Sequence, residues 1–452
     1  MIISHDLFVP SFTSPEHQLC FDVLMGLEKR KKIPKKHQVQ VRELVPEIIQ
    51  QLNEFLSESS HSPTLKKFYE EVYFRRLAHL DEDTFDRSLI SMEVLKFFVP
   101  KYYPSYKQYL DNYQKIGSSE ITRSSKYYKI ALKVIQLGLK LGVAPEPVSK
   151  GANGTYFMKD LAGRKLGVFK PSDEEFVASK SKKFRYLANT LPLCDTLIFL
   201  HGGNGHKSEY MASIVSRKLK LYIVPTTKVV SLKSFHFWKK SEDTLNNRVN
   251  KVGSLQLYIP HAIEAREAFN VYRNWCLLPD RGSYLLNKTK RKEYVLENLS
   301  QRDFEHMVIT DFLIAQLDRH PGNWYVGEQI FLIDNGATMP HKHSDSRISR
   351  LNQYAWKIFP QARVPFDDHA NKIIDRLELS LEEIIKRFHR KNLITEEGQE
   401  ETYRQRVQVL TWYVRLRKTP LQLAAVRSSQ DFKKVLKRIQ RKVVSTGDIH
   451  IV

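Results

Sequence analysis

The sequence predicts an α+β fold in two lobes, with helical extensions at both ends. Three observations carry this reading: a helix-periodic first third, a block of short β-type runs punctuated by Pro and Gly from about residue 145, and a return to helical spacing after residue 260. The first segment, 1–144, is rich in Leu, Ile, Phe and Tyr at helical spacing, as in LVPEIIQQLNEFL (44–56) and YYKIALKVIQLGLKLG (127–142). At GVAPEPVSKGANGTYF (142–157) the texture changes. RKLGVFKPSDEEF (164–176) reads as a strand leaving a hairpin, KSEYMASIVSRKL (207–219) as a helix, and LKLYIVPTTKVV (219–230) and SLQLYI (254–259) as further strands, which makes 145–260 the first lobe. The second lobe, 261–375, holds two predicted helices, AIEAREAFNVYRNW (262–275) and SQRDFEHMVITDFLIAQL (300–317), the latter running into a loop and a short hairpin. The last region, 376–452, is helical and basic: in QDFKKVLKRIQRKVV (430–444), Phe432, Val435, Leu436, Ile439 and Val443 form one apolar stripe, with the cations largely elsewhere.

A chain of 452 residues that is 42% hydrophobic can bury a sizeable core. Cys20, Cys194 and Cys276 stand singly, without the C-x-x-C pairs of a zinc site or a disulfide framework, so a reducing compartment is expected. The opening residues lack the basic and apolar regions of a signal peptide, and no uncharged apolar run approaches membrane-spanning length. The expected location is cytoplasmic, at most peripheral on a membrane. A net charge of +22, with a pI near 9.6, attracts polyanions: nucleic acid, anionic lipid or inositol polyphosphates. Missing zinc-finger spacings and RNP-type aromatic motifs argue against nucleic acid. The cluster EKRKKIPKKH (28–37) reads as a solvated linker or helix end rather than a binding patch.

Phosphoryl transfer asks for a backbone cradle over phosphates, a fixed cation, ligands for Mg²⁺ and a residue that orients the attacking hydroxyl. The sequence offers each, in a workable order. Gly151, Asn153, Gly154, Thr155 and Tyr156 lie in a predicted hairpin, where glycine lets backbone N–H groups approach an anion. Lys170 ends an apolar strand, so its ammonium either projects toward that loop or is simply solvated. Glu209, on the helix of 207–219, is a candidate partner to hold it. In Asp318-Arg319-His320-Pro321-Gly322-Asn323, Asp318 can accept a hydrogen bond from a substrate hydroxyl, while Asn323 can offer an oxygen to a hard metal ion. Arg319 and His320 join this catalytic set, with His320 either assisting deprotonation or bonding within the loop. Asp334 closes an apolar strand, where a cation such as Mg²⁺ would offset its burial; the other reading of Asp334-Asn335-Gly336 is a plain turn.

GANGTYF, VFKP, LDRHPGNW and IDNG, together with SEYMASIVSRKLKLYIVPTTKVV (208–230), KVGSLQLYI (251–259) and PQARVPF (360–366), resemble in order and spacing the phosphatidylinositol 3- and 4-kinase superfamily, most closely the type II phosphatidylinositol 4-kinases. The resemblance covers about residues 145 to 370 and implies a two-lobed protein-kinase-like fold. It further implies that Lys170 contacts ATP phosphates, that Gln256, Leu257, Tyr258 and Ile259 form the hinge beside adenine, that Asp318 faces the acceptor hydroxyl, and that Asn323 and Asp334 hold Mg²⁺ or Mn²⁺. The implied activity is transfer of the ATP γ-phosphate to phosphatidylinositol, as a 4-kinase, at a membrane surface. Two other readings stay open. One is a protein Ser/Thr kinase on the same scaffold, activated by a polyanion such as an inositol polyphosphate. The other is a phosphoinositide-binding pseudokinase scaffold, against which the intact Lys170, Asp318, Asn323 and Asp334 set argues. There are also departures: the type II loop has glycine where His320 stands, and the cysteine-rich palmitoylated segment is missing. Membrane contact would then fall to Lys180, Lys182, Lys183 and Arg185, near Phe184, and to the 430–444 helix.

Overall fold

The computed structural model describes residues 120, 123–140, 143–148, 154–160, 163–175, 204–234, 237, 249–269, 271–273, 284–286, 299–343 and 354–446. The helices expected before residue 120, the cluster 28–37, Gly151, Asn153 and the stretch 180–185 lie outside the described residues.

Strands β1 (Glu146–Pro147), β2 (Tyr156–Lys159), β3 (Lys165–Pro171), β4 (Thr227–Ser234) and β5 (Val249–Leu257) form an antiparallel sheet in the order β1-β2-β3-β5-β4. Strand alternation decides where the key lysine goes: Phe169 is fully buried, its ring 5.6 Å from that of Phe237, so its neighbour Lys170 must leave from the opposite face. In the β3–β5 register Lys170 faces Ser254 and Pro171 faces Gly253, where a Cβ would come within 2.2 Å of the Lys170 carbonyl oxygen. Only glycine lets β5 approach β3 so closely at that point. Helix α1 (Ser125–Lys140) buries Tyr127, Tyr128, Ala131, Val134 and Ile135 on one face at three- and four-residue spacing, and packs on β2, β3 and β4.

Helix α2 (Gly205–Lys218) lies between this sheet and the second lobe. The strand expected over 219–230 is shorter and later than the sequence suggests. Lys220 and Tyr222 both take left-handed backbone conformations (φ 59° and 56°), and the Leu221 and Tyr222 amides donate to the Ser216 carbonyl. The chain thus closes the helix end before it enters β4 at Thr227. The helix expected over 262–275 is also corrected. It is a two-residue strand β6 (Ile263–Glu264), a single turn α3 (Ala265–Ala268) and a strand β7 (Val271–Arg273). Pairing of β6 with β9 (Trp324–Val326), and of β7 with β8 (Tyr284–Leu286), outcompetes a helix that carries Val and Tyr at its far end.

The second lobe is built on helix α4 (Gln301–Leu313), whose N-terminus is capped by the Ser300 hydroxyl accepting from the Asp303 amide. Every residue from Phe304 to Leu313 is buried, as expected for a helix enclosed on all sides. It is surrounded by α5 (Asp368–Arg390), α6 (Gln399–Arg415) and α8 (Ser429–Thr446), with a short turn α7 (Pro420–Leu423) between the last two. The stripe read in 430–444 is the inward face of α8: Phe432, Val435 and Ile439 are buried, and Phe432 stacks on Phe312 of α4 at 6.0 Å. Helix α5 runs without a break through residues 375 and 376, so the C-terminal helices share one hydrophobic cluster with α2 and α4.

Helix α4 also carries a proton-linked weak point. Burial pushes the Glu305 carboxyl up to about 7, with Asp367 adding to the rise and a hydrogen bond from Gln301 opposing it. Between the ordinary carboxylate value and about 7, the folded chain keeps a proton that the unfolded chain has released. This group's contribution is therefore complete at low pH and is lost as pH rises toward 7. Neighbouring His306, held down to about 3 by burial and then by His369, acts in the opposite sense at lower pH. Glu305→Gln is expected to raise the melting temperature at about pH 8 and to leave it nearly unchanged at about pH 5. Equal shifts at both pH values in a thermal melt would show that Glu305 does not carry this linkage.

Candidate active site

Lys170 lies at the centre of the cleft. Its ammonium is 2.5 Å from Glu209 Oε1 on α2 and 2.7 Å from Asp334 Oδ1 at the end of β10 (Ile330–Leu332). The sheet, the helix and the second lobe thus each supply one member of this cluster. Glu209 is 2% exposed, so it is a firm anchor, whereas Asp334 is half-exposed and faces the opening. Burial works against the Lys170 charge, but Asp334 and then Glu209 override it and hold the ammonium above the ordinary lysine range. In return the Lys170 charge keeps the Asp334 carboxyl below the ordinary carboxylate range. Asp334 has a left-handed backbone (φ 53°), uncommon for a residue with a side chain and a form of strain that collects at functional sites.

The loop after α4 brings the other candidates to the same opening. The Asn323 amide nitrogen donates to the Asp318 carbonyl at 2.8 Å, which leaves its Oδ1 as the acceptor for a cation. Partial desolvation pushes the Asp318 carboxyl above the ordinary carboxylate range, with His320 opposing and Asp334 adding to the rise, while 59% of the side chain stays open to solvent. His320 Nδ1 accepts from the Gly322 amide at 3.0 Å. In its neutral form the ring therefore carries its proton on Nε2, which is 3.8 Å from Asp318 Oδ2. His320 faces Asp318 as a donor, and its second nitrogen is already engaged.

Arg319 is the one member of the expected catalytic set that the structure moves. It is fully buried. Its Nε donates to Asp311 at 3.0 and 3.2 Å, and its terminal nitrogens donate to the carbonyls of Asn323 and Ile333 and to Asn335 Oδ1. A guanidinium used up in this way touches no substrate; it holds Asn323 and the residues flanking Asp334 in fixed relation. Asp311 is in turn held by the Trp356 indole N–H at 3.1 Å. Gln316, which the sequence reading passed over, adds a second tie: its Oε1 accepts from the Asp318 amide, while its nitrogen reaches the Asp334 carbonyl and Asn335 Oδ1. A polar residue at the end of an apolar run was the only signal for it.

The remaining candidates divide by chain segment. Tyr156 is buried, and its hydroxyl donates to the Glu174 carboxylate rather than pointing into the cleft. Thr155 and Gly154 lie at the start of β2; the Gly154 amide donates to the Glu174 carbonyl. At the expected hinge the Gln256 side chain is turned into the sheet, donating to Thr227 Oγ1, and Leu257 is buried. The Leu257 and Tyr258 amides donate to the Thr226 and Leu166 carbonyls, so this segment is tied to β3 and β4 before Ile259 leads into the second lobe. Asp334 and Asn323 are hard oxygen donors of the kind Mg²⁺ and Mn²⁺ prefer, and with substrate phosphates they fit such an ion. Among the described residues no cluster of three or more His, Cys, Asp or Glu side chains could hold a metal alone.

This arrangement of a cleft lysine, the loop after α4 and a strand-end aspartate coincides with a sequence match. The family model described as phosphatidylinositol 3- and 4-kinase matches residues 151–391, more than half of the chain. The chain belongs to that family. Its fold is accordingly the two-lobed kinase-like one, with β1–β5 in the first lobe and α4 at the centre of the second. Similar curated members include phosphatidylinositol 4-kinase type 2-beta of Rattus norvegicus, 31% identical over 290 residues (55% of this chain, 58% of the relative). The type 2-beta enzyme of Danio rerio is 30% identical over 279 residues (52% of each). The type 2-alpha enzyme of Danio rerio is 28% identical over 285 residues (55% and 62%). The chain spans between half and two thirds of the length of these relatives. A solved structure, that of the Golgi casein kinase, covers 72% of this chain and 89% of its own at 13% identity, with a TM-score of 0.36, too slight a likeness to bear on the assignment.

Proposed function

We propose that this phosphatidylinositol-kinase family member transfers the γ-phosphate of ATP to an inositol lipid, with the 4-position of phosphatidylinositol as the acceptor. The observation that carries the reading is the convergence on one opening of the Lys170 ammonium, the strained Asp334 carboxylate, the Asn323 amide and the Asp318 carboxylate. Residues 145–260 act as the nucleotide lobe and 261–375 as the acceptor lobe, with the C-terminal helices buttressing the second.

In this reading Lys170, steadied by Glu209, meets the phosphates as they arrive, while the hinge over Gln256, Leu257, Tyr258 and Ile259 receives the adenine. Asn323 Oδ1 and Asp334 would hold Mg²⁺ or Mn²⁺, which when bound neutralises phosphate charge as the transferring group loosens. Asp318 accepts the proton of the acceptor hydroxyl as its oxygen bonds to the γ-phosphorus and the bond to the β-phosphate oxygen breaks, releasing ADP. His320 keeps its Nε2 proton toward Asp318, a donor that favours the carboxylate form needed at the start of the step.

Membrane contact has support from charge. Arg404 and Arg415 of α6, and Arg417 just after it, pair with carboxylates of α5, namely Glu382, Asp375 and Asp368. Lys433, Lys434, Lys437, Arg438 and Arg441 of α8 are exposed and form no ion pair among the described residues. Such a face suits a peripheral contact with anionic lipid; among the described residues no helix is long and apolar enough to cross a membrane.

The deciding experiment follows γ-labelled ATP with phosphatidylinositol vesicles and generic protein acceptors side by side, with Asp334→Ala as the control. Label in lipid that vanishes in the control is the expected result. Label in protein alone would make the chain a protein kinase, and ATP left intact under every condition, inositol polyphosphate included, would make it a scaffold.

A further inference from the structure

On the face of the sheet away from the cleft, cations from four elements converge without a carboxylate to meet them. Strand pairing sets Lys228 of β4 opposite Leu255, and Leu255 opposite Phe169, so Lys228 leaves the sheet on the side opposite the Lys170 ammonium. Its ammonium lies 4.8 Å from the centre of the Tyr128 ring of α1. Arg217, in the last turn of α2, reaches round the edge strand β4. Its terminal nitrogens donate to Thr226 Oγ1 at 2.9 Å and to Ser125 Oγ, at the start of α1, at 2.7 Å. Arg387 and Lys391 come from the end of α5, which packs on α2, and Lys129 comes from α1. Arg217, Lys228 and Arg387 are half-buried, whereas Lys129 and Lys391 are exposed beside them.

Two observations mark the cluster as a place that receives negative charge. Burial pulls the Lys228 ammonium below the ordinary lysine range, and Arg217, Lys129, Arg387 and Lys391 each add to the fall with no carboxylate opposing it. Arg387 Nε is buried and donates to nothing among the described residues. Glu383, one turn before Arg387, is engaged by Lys218, and none of the five cations forms an ion pair among the described residues. A cation at a helix C-terminus is ordinary, because the last carbonyls attract it, and this accounts for Arg217 and Arg387 taken singly. It does not account for Lys228, which is on a strand, or for a buried guanidinium nitrogen without an acceptor.

We infer that Arg217, Lys228 and Arg387, flanked by Lys129 and Lys391, form a second anion site, separate from the cleft, for a ligand that carries several phosphate groups. Guanidinium forks and ammonium groups meet phosphate oxygens through charge-assisted hydrogen bonds, and one phosphate alone would leave most of this charge unmet. Arg217 and Lys228 belong with the first-lobe sheet and its helices, while Arg387 and Lys391 belong to the second lobe. A ligand held by all of them therefore ties the two lobes together on the side away from catalysis.

Inorganic tripolyphosphate is the probe. At constant ionic strength, and at about a hundred times its Kd, it is expected to raise the Tm of the wild-type protein by about 3–5 °C. Lys228→Met/Arg387→Met should weaken its binding about ten-fold or more. Lys433→Gln/Lys437→Gln on α8 changes the net charge equally and should leave the Kd within about two-fold. Lys228→Met alone keeps an unbranched chain over Tyr128 and relieves the repulsion, so the ligand-free Tm should rise by about 1–2 °C. If the double variant does not fold, the exposed Lys129→Gln and Lys391→Gln serve, each expected to raise the Kd about two- to five-fold.

Phosphatidylcholine vesicles with about one part in ten of phosphatidylinositol 4-phosphate form the second arm. Vesicle binding that is lost in Lys228→Met/Arg387→Met and kept in the α8 variant would make a lipid headgroup the source of the phosphates; tripolyphosphate binding alone would make it a soluble ligand. Wild-type protein that binds neither probe would overturn the inference. So would binding weakened equally by the two charge-matched double variants, or unaltered in all of these variants, since the anion would then be held by net charge or by the cleft.

Discussion

Lys170→Met is expected to lower the transfer rate by roughly 10²–10³-fold or more, the range seen when a preorganised electrostatic group is removed from a site. The structure also says what the change does to the protein that remains. Glu209 is 2% exposed, has Lys170 as the partner of its Oε1, and has no hydrogen bond to Oε2 among the described residues. Without the ammonium this carboxylate is left buried and uncompensated, and Asp334 loses the group that keeps its carboxyl low. Lys170→Met should therefore lose stability as well as activity. Glu209→Gln, which keeps a neutral acceptor near the lysine, should cost less in rate, about 10- to 100-fold. The double variant Lys170→Met/Glu209→Gln should regain part of the lost melting temperature and none of the lost rate. Rate and Tm measured on the three variants form a double-mutant cycle. If the two single effects on rate simply add, Glu209 does not act through Lys170.

The groups in this cycle were legible in the sequence, and the reasons are physical. Lys170 follows Phe169 in an apolar strand, so alternation alone sends it away from the core. Glu209 lies in the first half of a helix, next to Tyr210, Met211 and Ala212, and Asp334 closes the buried strand Ile330–Leu332 two residues after it ends. Each of these is a local pattern with a clear break in it. What could not be read are pairings across long separations that leave no periodic trace. Glu174 sits in the 3-10 turn that follows β3 while Lys251, 2.7 Å from it, is on β5, and Lys251 has the ordinary look of a charged residue in a strand. The misread helix at 262–275 has the same cause: β6 and β7 exist because β9 and β8 are there to pair with them. Arg319 stood in the right motif with the wrong role, since its partner Asp311 lies on α4 inside a run that reads as core.

That partnership leads to the second large effect. Arg319 and Asp311 are both fully buried and face each other at 3.0 Å, and the guanidinium also serves the carbonyls of Asn323 and Ile333 and the Asn335 side chain. Arg319→Met removes five hydrogen-bonded contacts at once and strands the Asp311 carboxylate, which keeps only the Trp356 indole among these partners. Breaking a buried pair on one side costs about 3–5 kcal/mol, a large part of the 5–15 kcal/mol by which domains are stable. The expected result is a clear drop in the urea midpoint together with near-complete loss of transfer. Adding Asp311→Leu removes the stranded charge and should restore much of the midpoint, because an apolar replacement of both partners is often neutral. Activity should not return with it: the carbonyls of Asn323 and Ile333 remain untied, and Asn323 and Asp334 then lack the fixed spacing that the proposed metal ion would need. Recovery of transfer in the double variant would mean that Arg319 stabilises the lobe and leaves the loop to position itself. Recovery of the midpoint alone would assign the relative placement of Asn323 and Asp334 to this one buried side chain.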